Sequence, residues 1–273
     1  MLYIRGTLKL LFFLFAISLF ILVSFTGQLF LRDPKKRRHF FTALASFVSK
    51  FGVWFLNVRV TVKNKPDPSK NYLFVGNHLG ILDILLVASV HPTLFITSVE
   101  MRQTPGLGLF CEMGGCLFVE RRSRSGIQKE IFQIREALQQ GLCVTLYPEG
   151  TSNNGERVHP FKKSLITAAA GTGVPIKPMV VNYRTVNGEP MSDRWRDHVC
   201  WYGDQTFPPV LWRLLNLRAC EAEIEFMEEI HVHSDEERRA AATEAQTQIE
   251  AKYTPIPKPD SVISMATSMR PKT

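Results

Sequence analysis

Apolar residues fall along this chain in three different rhythms. From Leu10 to Leu31 they are continuous, and LLFFLFAISLFILVSFTGQLFL carries no charge. At about 1.5 Å of rise per residue, such a run wound as a helix is long enough to cross a hydrocarbon core of roughly 30 Å. It outruns the apolar stretch of about 7–15 residues in a signal peptide, and it passes directly into Arg32, Lys35, Lys36, Arg37 and Arg38. That cluster outweighs Arg5 and Lys9 on the other side, so the positive-inside rule places everything after Leu31 in the cytoplasm. From Phe40 to Val60 the rhythm is helical, with Phe40, Phe41, Leu44, Phe47, Val48, Phe51, Trp54 and Phe55 recurring at spacings of three and four. This stripe is expected to pack on the first helix, to lie in the membrane interface with Trp54 at headgroup level, or to be an ordinary buried helix. Lys63 to Asn71, with Pro66 and Pro68, is expected to be a linker.

From Tyr72 onward short apolar runs alternate with helical periodicity. Strands are predicted at Tyr72–Gly76, Leu94–Ser98, Cys116–Glu120, Leu142–Tyr147, Pro175–Tyr183 and Glu221–Val232. Helices are predicted at Ile81–Val90, through Ile127, Ile131, Ile134 and Leu138 up to Gly141, and at Ser164–Ala170 before Gly171. Ser234 and Glu237 have capping-box spacing ahead of a polar helix reaching about Ala251. The pattern implies an α/β fold, a central mixed sheet flanked by helices with an N-terminal hydrophobic arm, and sites on loops after strand ends. Three parts follow: a membrane-associated segment over 1–62, a catalytic domain over 63–252, and a disordered tail rich in Pro, Ser and Lys over 253–273.

Charge narrows the partners. Thirty-three Lys and Arg against twenty-five Asp and Glu give a net charge of +8, which favours anionic partners. The densest cluster directly follows the apolar run, where it would hold lipid headgroups, so membrane lipid and not nucleic acid is the expected partner. The five cysteines are odd in number and show no Cys-x-x-Cys spacing, which argues against a zinc site and for a reducing compartment.

The most informative segment is Gly76-Asn77-His78-Leu79-Gly80-Ile81-Leu82-Asp83. A histidine leaves a buried strand, and an aspartate five positions later stands in the first turn of a helix. The intervening turn can bring carboxylate to imidazole, fixing the tautomer and leaving the other nitrogen free to take a proton from a hydroxyl. Of the seven histidines, His78 alone has an aspartate at this distance.

Asn-His-x-x-x-x-Asp resembles the first signature of the glycerolipid acyltransferases, the superfamily of 1-acylglycerol-3-phosphate acyltransferase. Three further segments resemble its later signatures in the expected order: Gly115-Cys116-Leu117-Phe118-Val119-Glu120-Arg121, Tyr147-Pro148-Glu149-Gly150-Thr151 and Val174-Pro175-Ile176-Lys177-Pro178-Met179. The resemblance covers roughly Tyr72 to Tyr183. It implies a membrane-bound O-acyltransferase acting on the free hydroxyl of a lysolipid, with acyl-CoA or acyl-carrier protein as co-substrate. His78 would be the general base and Asp83 its orienting partner, with no metal and no bound cofactor. Asn77, Arg121, Glu149, Gly150, Thr151 and Lys162 would belong to the substrate-binding loops, and Pro178 would help to shape the acyl-donor site.

The third block departs from the phosphatidate-forming pattern, which follows Glu-Gly-Thr with arginine; here Ser152 holds that place. Arg157 or Lys162 would replace the lost charge, or the acceptor lacks a phosphate there. The favoured acceptor is 1-acyl-sn-glycerol-3-phosphate, because Arg121 and the second block are intact. The alternative is a lysolipid such as lyso-ornithine lipid, whose acyltransferases have a segment similar to Trp201-Tyr202-Gly203-Asp204. A serine hydrolase would want a Gly-x-Ser-x-Gly elbow, and the chain has none. A phosphate loop over Gly150–Gly155 would want lysine where Glu156 stands. A non-catalytic lipid-binding protein would have no use for the His78–Asp83 pair.

Overall fold

The computed structural model describes residues 2–104, 106–120 and 126–258. It begins with helices α1 (Leu2–Phe30) and α2 (Pro34–Phe55) and strand β1 (Val58–Lys63). There follow β2 (Leu73–Gly76), α3 (Ile81–Val90), β3 (Leu94–Ser98), the short helices α4 (Val99–Arg102) and α5 (Leu107–Met113), β4 (Leu117–Val119), α6 (Ile127–Gln139) and β5 (Val144–Leu146). A 3-10 turn, Leu165–Ala169, leads to β6 (Ile176–Val186), which folds back on the two-residue β7 (Glu189–Pro190). Last come α7 (Asp193–Val199), α8 (Phe207–Leu215), β8 (Cys220–Phe226) and α9 (Arg238–Lys252).

Among the described residues the strands form one mixed sheet in the order β1-β8-β6-β2-β5-β3-β4. Neighbours from β6 to β4 are parallel, β8 is antiparallel to β6, and β1 runs parallel to β8. Leu73, Phe74 and Val75 of β2 are all fully buried, as a strand covered on both faces requires. Alternate residues feed two core layers. Tyr72 and Phe74 join Met179, Val181 and Tyr183 beneath α3, α7 and α8. Leu73 and Val75 join Ile176 and Val180 beneath α6 and α9. Because β2, β5, β3 and β4 are parallel, the loops leaving their carboxyl ends emerge at one edge, those of β2 and β5 side by side.

α2 begins cleanly: the Asp33 carboxylate accepts from Lys35 N at 2.8 Å and Pro34 occupies the first turn. Its buried face consists of Phe41, Thr42, Ser46, Ser49 and Val53, and the helix packs on α3. Small residues allow that close approach. Phe41 apart, the aromatic stripe turns the other way, leaving Phe47 70% and Trp54 71% exposed. Phe51 and Phe55 meet Phe12 of α1, with the Phe12–Phe55 centroids 4.2 Å apart. The stripe is therefore not a buried-core face; it packs partly on the first helix and is otherwise uncovered.

In α1, Arg5–Phe30 is long and apolar enough to cross a membrane. The helix is nevertheless docked at both ends. Lys9 Nζ donates to Leu217 O at 2.8 Å and Arg5 Nη2 to Arg218 O at 3.1 Å. Phe20 is buried against Phe110 of α5, and the Phe40 ring lies on Gly27. Leu8, Leu11, Phe15, Leu22, Phe25 and Leu29 point away from the protein.

Three expectations need correction. Val58–Lys63 is a strand, not the end of a helical stripe and the start of a linker; it pairs in register with Cys220–Glu225 and is braced by Arg59–Glu221 at 2.7 Å and Lys63–Glu223 at 3.0 Å. The capping box is not made: the Glu237 carboxylate accepts from His233 N at 2.8 Å, and Ser234 caps no backbone N–H. The tail does not part from the domain at Tyr253, because residues 253–258 lie back over the domain. Tyr253 Oη and Ile256 N both donate to Gly155 O, at 2.7 and 2.8 Å, and Ile256 is buried. The tail beyond Lys258 lies outside the described residues.

Candidate active site

The strand β2 ends at Gly76 and delivers His78 to the sheet edge, while α3 starts three residues after His78, at Ile81, and carries Asp83 in its first turn. Asp83 Oδ2 accepts from Leu79 N at 2.6 Å and Gly80 N at 2.9 Å, satisfying two backbone donors ahead of the helix. The same oxygen lies 2.9 Å from His78 Nδ1. A carboxylate only accepts, so Nδ1 carries the proton and Nε2 is left as the basic nitrogen. Asp83 is fully buried, whereas the His78 side chain is 18% exposed. Asp83 Oδ1 accepts from the Tyr183 hydroxyl at 2.6 Å, a partner 100 residues away that no local spacing announces.

The loop after β5 holds His78 from the other side. Glu149 Oε1 accepts from His78 N at 2.7 Å, while Oε2 accepts from Asn153 Nδ2 at 2.6 Å and His159 N at 2.8 Å. Asn153 N in turn donates to His78 O at 3.0 Å. Burial pushes the Glu149 carboxyl up to about 7, against the pull of those hydrogen bonds. The ring of Tyr147 stacks on the imidazole.

The other expected site residues divide. Lys162 is brought in: Pro148 O accepts from its backbone N at 2.8 Å, and its Nζ stands 2.6 Å from where a Cβ on Gly150 would be. Gly150 has φ +80°, so both its conformation and this close approach suit glycine. Thr151 is exposed beside them. Glu149 is not free for an acceptor, because both oxygens are spent on the protein. Asn77 is likewise consumed, donating to Val181 O at 3.0 Å and accepting from Val181 N at 2.8 Å, which locks the end of β2 to β6. Pro178 is buried in β6 opposite Val75, on the side of the strand that carries Ile176 and Val180 and away from Tyr183. Arg121 lies outside the described residues.

Ser152 does not face an acceptor. Its hydroxyl donates to Trp201 O, and Trp201 N donates to Leu79 O at 2.7 Å. The segment Val199–Tyr202 thus bridges the two loops. Gly80 is needed here because any Cβ would collide with Val199 O. Sequence reasoning singled out Trp201 but not its position against the His78 loop.

An acyltransferase family model matches residues 57–182. The chain is 30% identical to the lyso-ornithine lipid O-acyltransferase of Brucella abortus, over 81% of this chain and 84% of that one. It is 27% identical to the 1-acyl-sn-glycerol-3-phosphate acyltransferase of Neisseria gonorrhoeae, over 68% and 71% of the two chains. Its fold resembles the crystal structure of PlsC, the 1-acyl-sn-glycerophosphate acyltransferase of Thermotoga maritima, with a TM-score of 0.62 at 21% identity over 94% of this chain and 100% of that one. With its four ordered signatures and a sheet of this topology, the chain belongs to the glycerolipid acyltransferase family.

Proposed function

We propose that this protein transfers a fatty acyl group from acyl-CoA or acyl-carrier protein to the free hydroxyl of a lysolipid, with His78 as general base and without metal or bound cofactor. The observation that carries the reading is the 2.9 Å contact of His78 Nδ1 with a buried Asp83 carboxylate. With Nδ1 so occupied, Nε2 takes the hydroxyl proton as that oxygen attacks the thioester carbonyl carbon. The C–S bond breaks, and the leaving thiolate receives the proton back from the imidazolium. Asp83 stabilises the transient positive charge. The thioester is already activated, so no acyl-enzyme is required.

For the acceptor we favour lyso-ornithine lipid, which reverses the ranking from the residues alone. The Ser152–Trp201 bond supports this, because the Trp201 backbone fills the space an arginine at 152 would need. The Brucella relative points the same way. The second reading, 1-acyl-sn-glycerol-3-phosphate, is favoured by the Lys162 ammonium beside Gly150. Competition of the two lysolipids for a limiting radiolabelled acyl thioester decides between them. His78→Ala in the same assay tests the base, with a loss of about 10²–10⁴-fold expected.

The attachment we propose is monotopic, on the cytoplasmic face. A helix crossing the bilayer would carry one end about 30 Å from the domain. Here Arg5, Lys9 and Gly27 all touch the protein, and one uncovered apolar face of α1 and α2 is left for a single leaflet. Replacing Phe47 and Trp54 by Ser should lower partition onto anionic vesicles without unfolding the domain, and labelling of a cysteine placed at Thr61 from outside intact cells would overturn the orientation.

A further inference from the structure

The Asp83 carboxylate is fully buried, and a buried carboxylate stays ionised only if enough donors face it. Oδ2 has three donors, from Leu79 N, Gly80 N and His78 Nδ1. All of them pull on one oxygen. Oδ1 is met from the opposite direction by the Tyr183 hydroxyl at 2.6 Å, delivered by β6 from beneath α3. Tyr183 is itself buried, and its neighbours in the chain turn to other tasks: Asn182 Oδ1 accepts from Thr254 N, and Arg184 pairs with Glu223 at 2.8 Å. Strand alternation commits the phenol to the α3 face.

We propose that Tyr183 is a positioning residue for acyl transfer: its hydroxyl, bonded to Oδ1, fixes the Asp83 carboxylate in rotation, so that Oδ2 stays aimed at His78 Nδ1. The relay then has three members, two from one turn of chain and the third from across the sheet. The proposal rests on His78 being the base. A phenol suits this place because it donates without ionising: burial first, and the Asp83 charge second, push its pKa well above the ordinary tyrosine value. The other titratable groups that feel Asp83 are Tyr147, Cys200, Tyr253 and Glu149. The first three are driven upward by burial and stay neutral, while Glu149 is pushed up to about 7. Glu149 titrates in wild type and variant alike, so the difference between their profiles isolates Tyr183.

The test uses the full-length protein in phospholipid vesicles with a lysolipid and an acyl thioester, comparing Tyr183→Phe with wild type. Expected are a fall in kcat of roughly tenfold or more, KM for both substrates within about twofold, and an acid limb of the kcat–pH profile moved to higher pH, because a buried carboxylate stripped of a donor takes up its proton earlier. Should Tyr183→Phe fail to fold, 3-fluorotyrosine in place of Tyr183 keeps the shape and strengthens the donor, and the limb should move to lower pH. Wild-type kcat with an unmoved profile, or a loss appearing only in KM, overturns the proposal, as does an unmoved profile with fluorotyrosine. An active His78→Ala would bring down the base reading and Tyr183 with it; an inactive His78→Ala beside an unaltered Tyr183→Phe would remove Tyr183 alone.

Discussion

The imidazole of His78 lies flat against the phenol of Tyr147, with centroids 4.2 Å apart and planes 9° from parallel. The stacked ring alone suffices as a floor for the histidine. The Tyr147 hydroxyl is buried and has no hydrogen-bond partner among the described residues, an arrangement that costs about 1–3 kcal/mol. Tyr147→Phe should therefore raise the melting temperature by a few degrees and leave turnover within about threefold. Tyr147→Ala removes the floor and should lower kcat about tenfold. A tenfold loss in Tyr147→Phe would mean that the hydroxyl meets substrate.

Glu149 links the loop after β5 to the backbone of His78, and its charge state makes that link pH-dependent. Its folded pKa of about 7 lies above the ordinary 4.5, so the folded state favours the protonated form. The associated stability is fully present below about pH 4.5 and is lost as pH rises through about 7, by at most about 3 kcal/mol. Chemical denaturation at pH 5 and pH 8 should show this decline. Glu149→Gln should flatten that pH dependence but lower stability throughout. Its amide must point a donor either at His78 N or at the pair Asn153 Nδ2 and His159 N, all of them donors themselves. Activity should fall at least tenfold because the His78 loop shifts.

The strap formed by residues 253–258 holds the same loop from outside. Besides the two bonds to Gly155 O, Arg196 donates to Pro257 O at 2.7 Å and to Glu156 at 2.8 Å, and Lys258 lies 3.7 Å from Glu156. A chain ending at Lys252 should melt several degrees lower and show a raised KM for the lysolipid. One ending at Lys258 should match the full chain in both measurements. Equal behaviour of the two truncations would show that the strap is dispensable.

How much of this was legible before the fold was known depended on distance and on solvent. β2, α3, β5 and most of β6 were legible because short buried runs and helical periodicity leave local traces. His78 and Asp83 were legible because five residues separate them. Tyr183 was not, since its partner lies 100 residues back and a tyrosine in a buried strand looks like core. The sequence left the face of α2 open among three placements for a physical reason: apolar usually means buried, whereas here Thr42, Ser46 and Ser49 are buried and Phe47 and Trp54 are uncovered. β1 was hidden because only Leu56 and Asn57 separate it from α2, so the alternation of Val58, Val60 and Val62 merged with the end of the apolar stripe; Asn57, at φ +57°, is where the chain turns from helix to strand.

The acceptor site yields the last prediction, built on Ser152 and Lys162. If Ser152 were simply an arginine lost, Ser152→Arg would restore phosphate binding at little cost. The geometry argues otherwise, because the Ser152 hydroxyl is bonded to Trp201 O and Trp201 N is bonded to Leu79 O, one residue from His78. An arginine there must break the first bond and press on the second, disturbing the base. Ser152→Arg should therefore lower kcat for every acceptor, without a selective gain for lysophosphatidic acid. Lys162 is different, because its ammonium beside Gly150 is exposed and free to swing toward an anionic headgroup. Lys162→Met should raise KM for an acceptor carrying phosphate or carboxylate by roughly ten- to a hundredfold, with kcat little changed. Steady-state kinetics of both variants with the two lysolipids separates these effects. A gain of lysophosphatidic acid activity in Ser152→Arg would mean that the Trp201 segment yields, and that position 152 is an open seat for the phosphate partner after all.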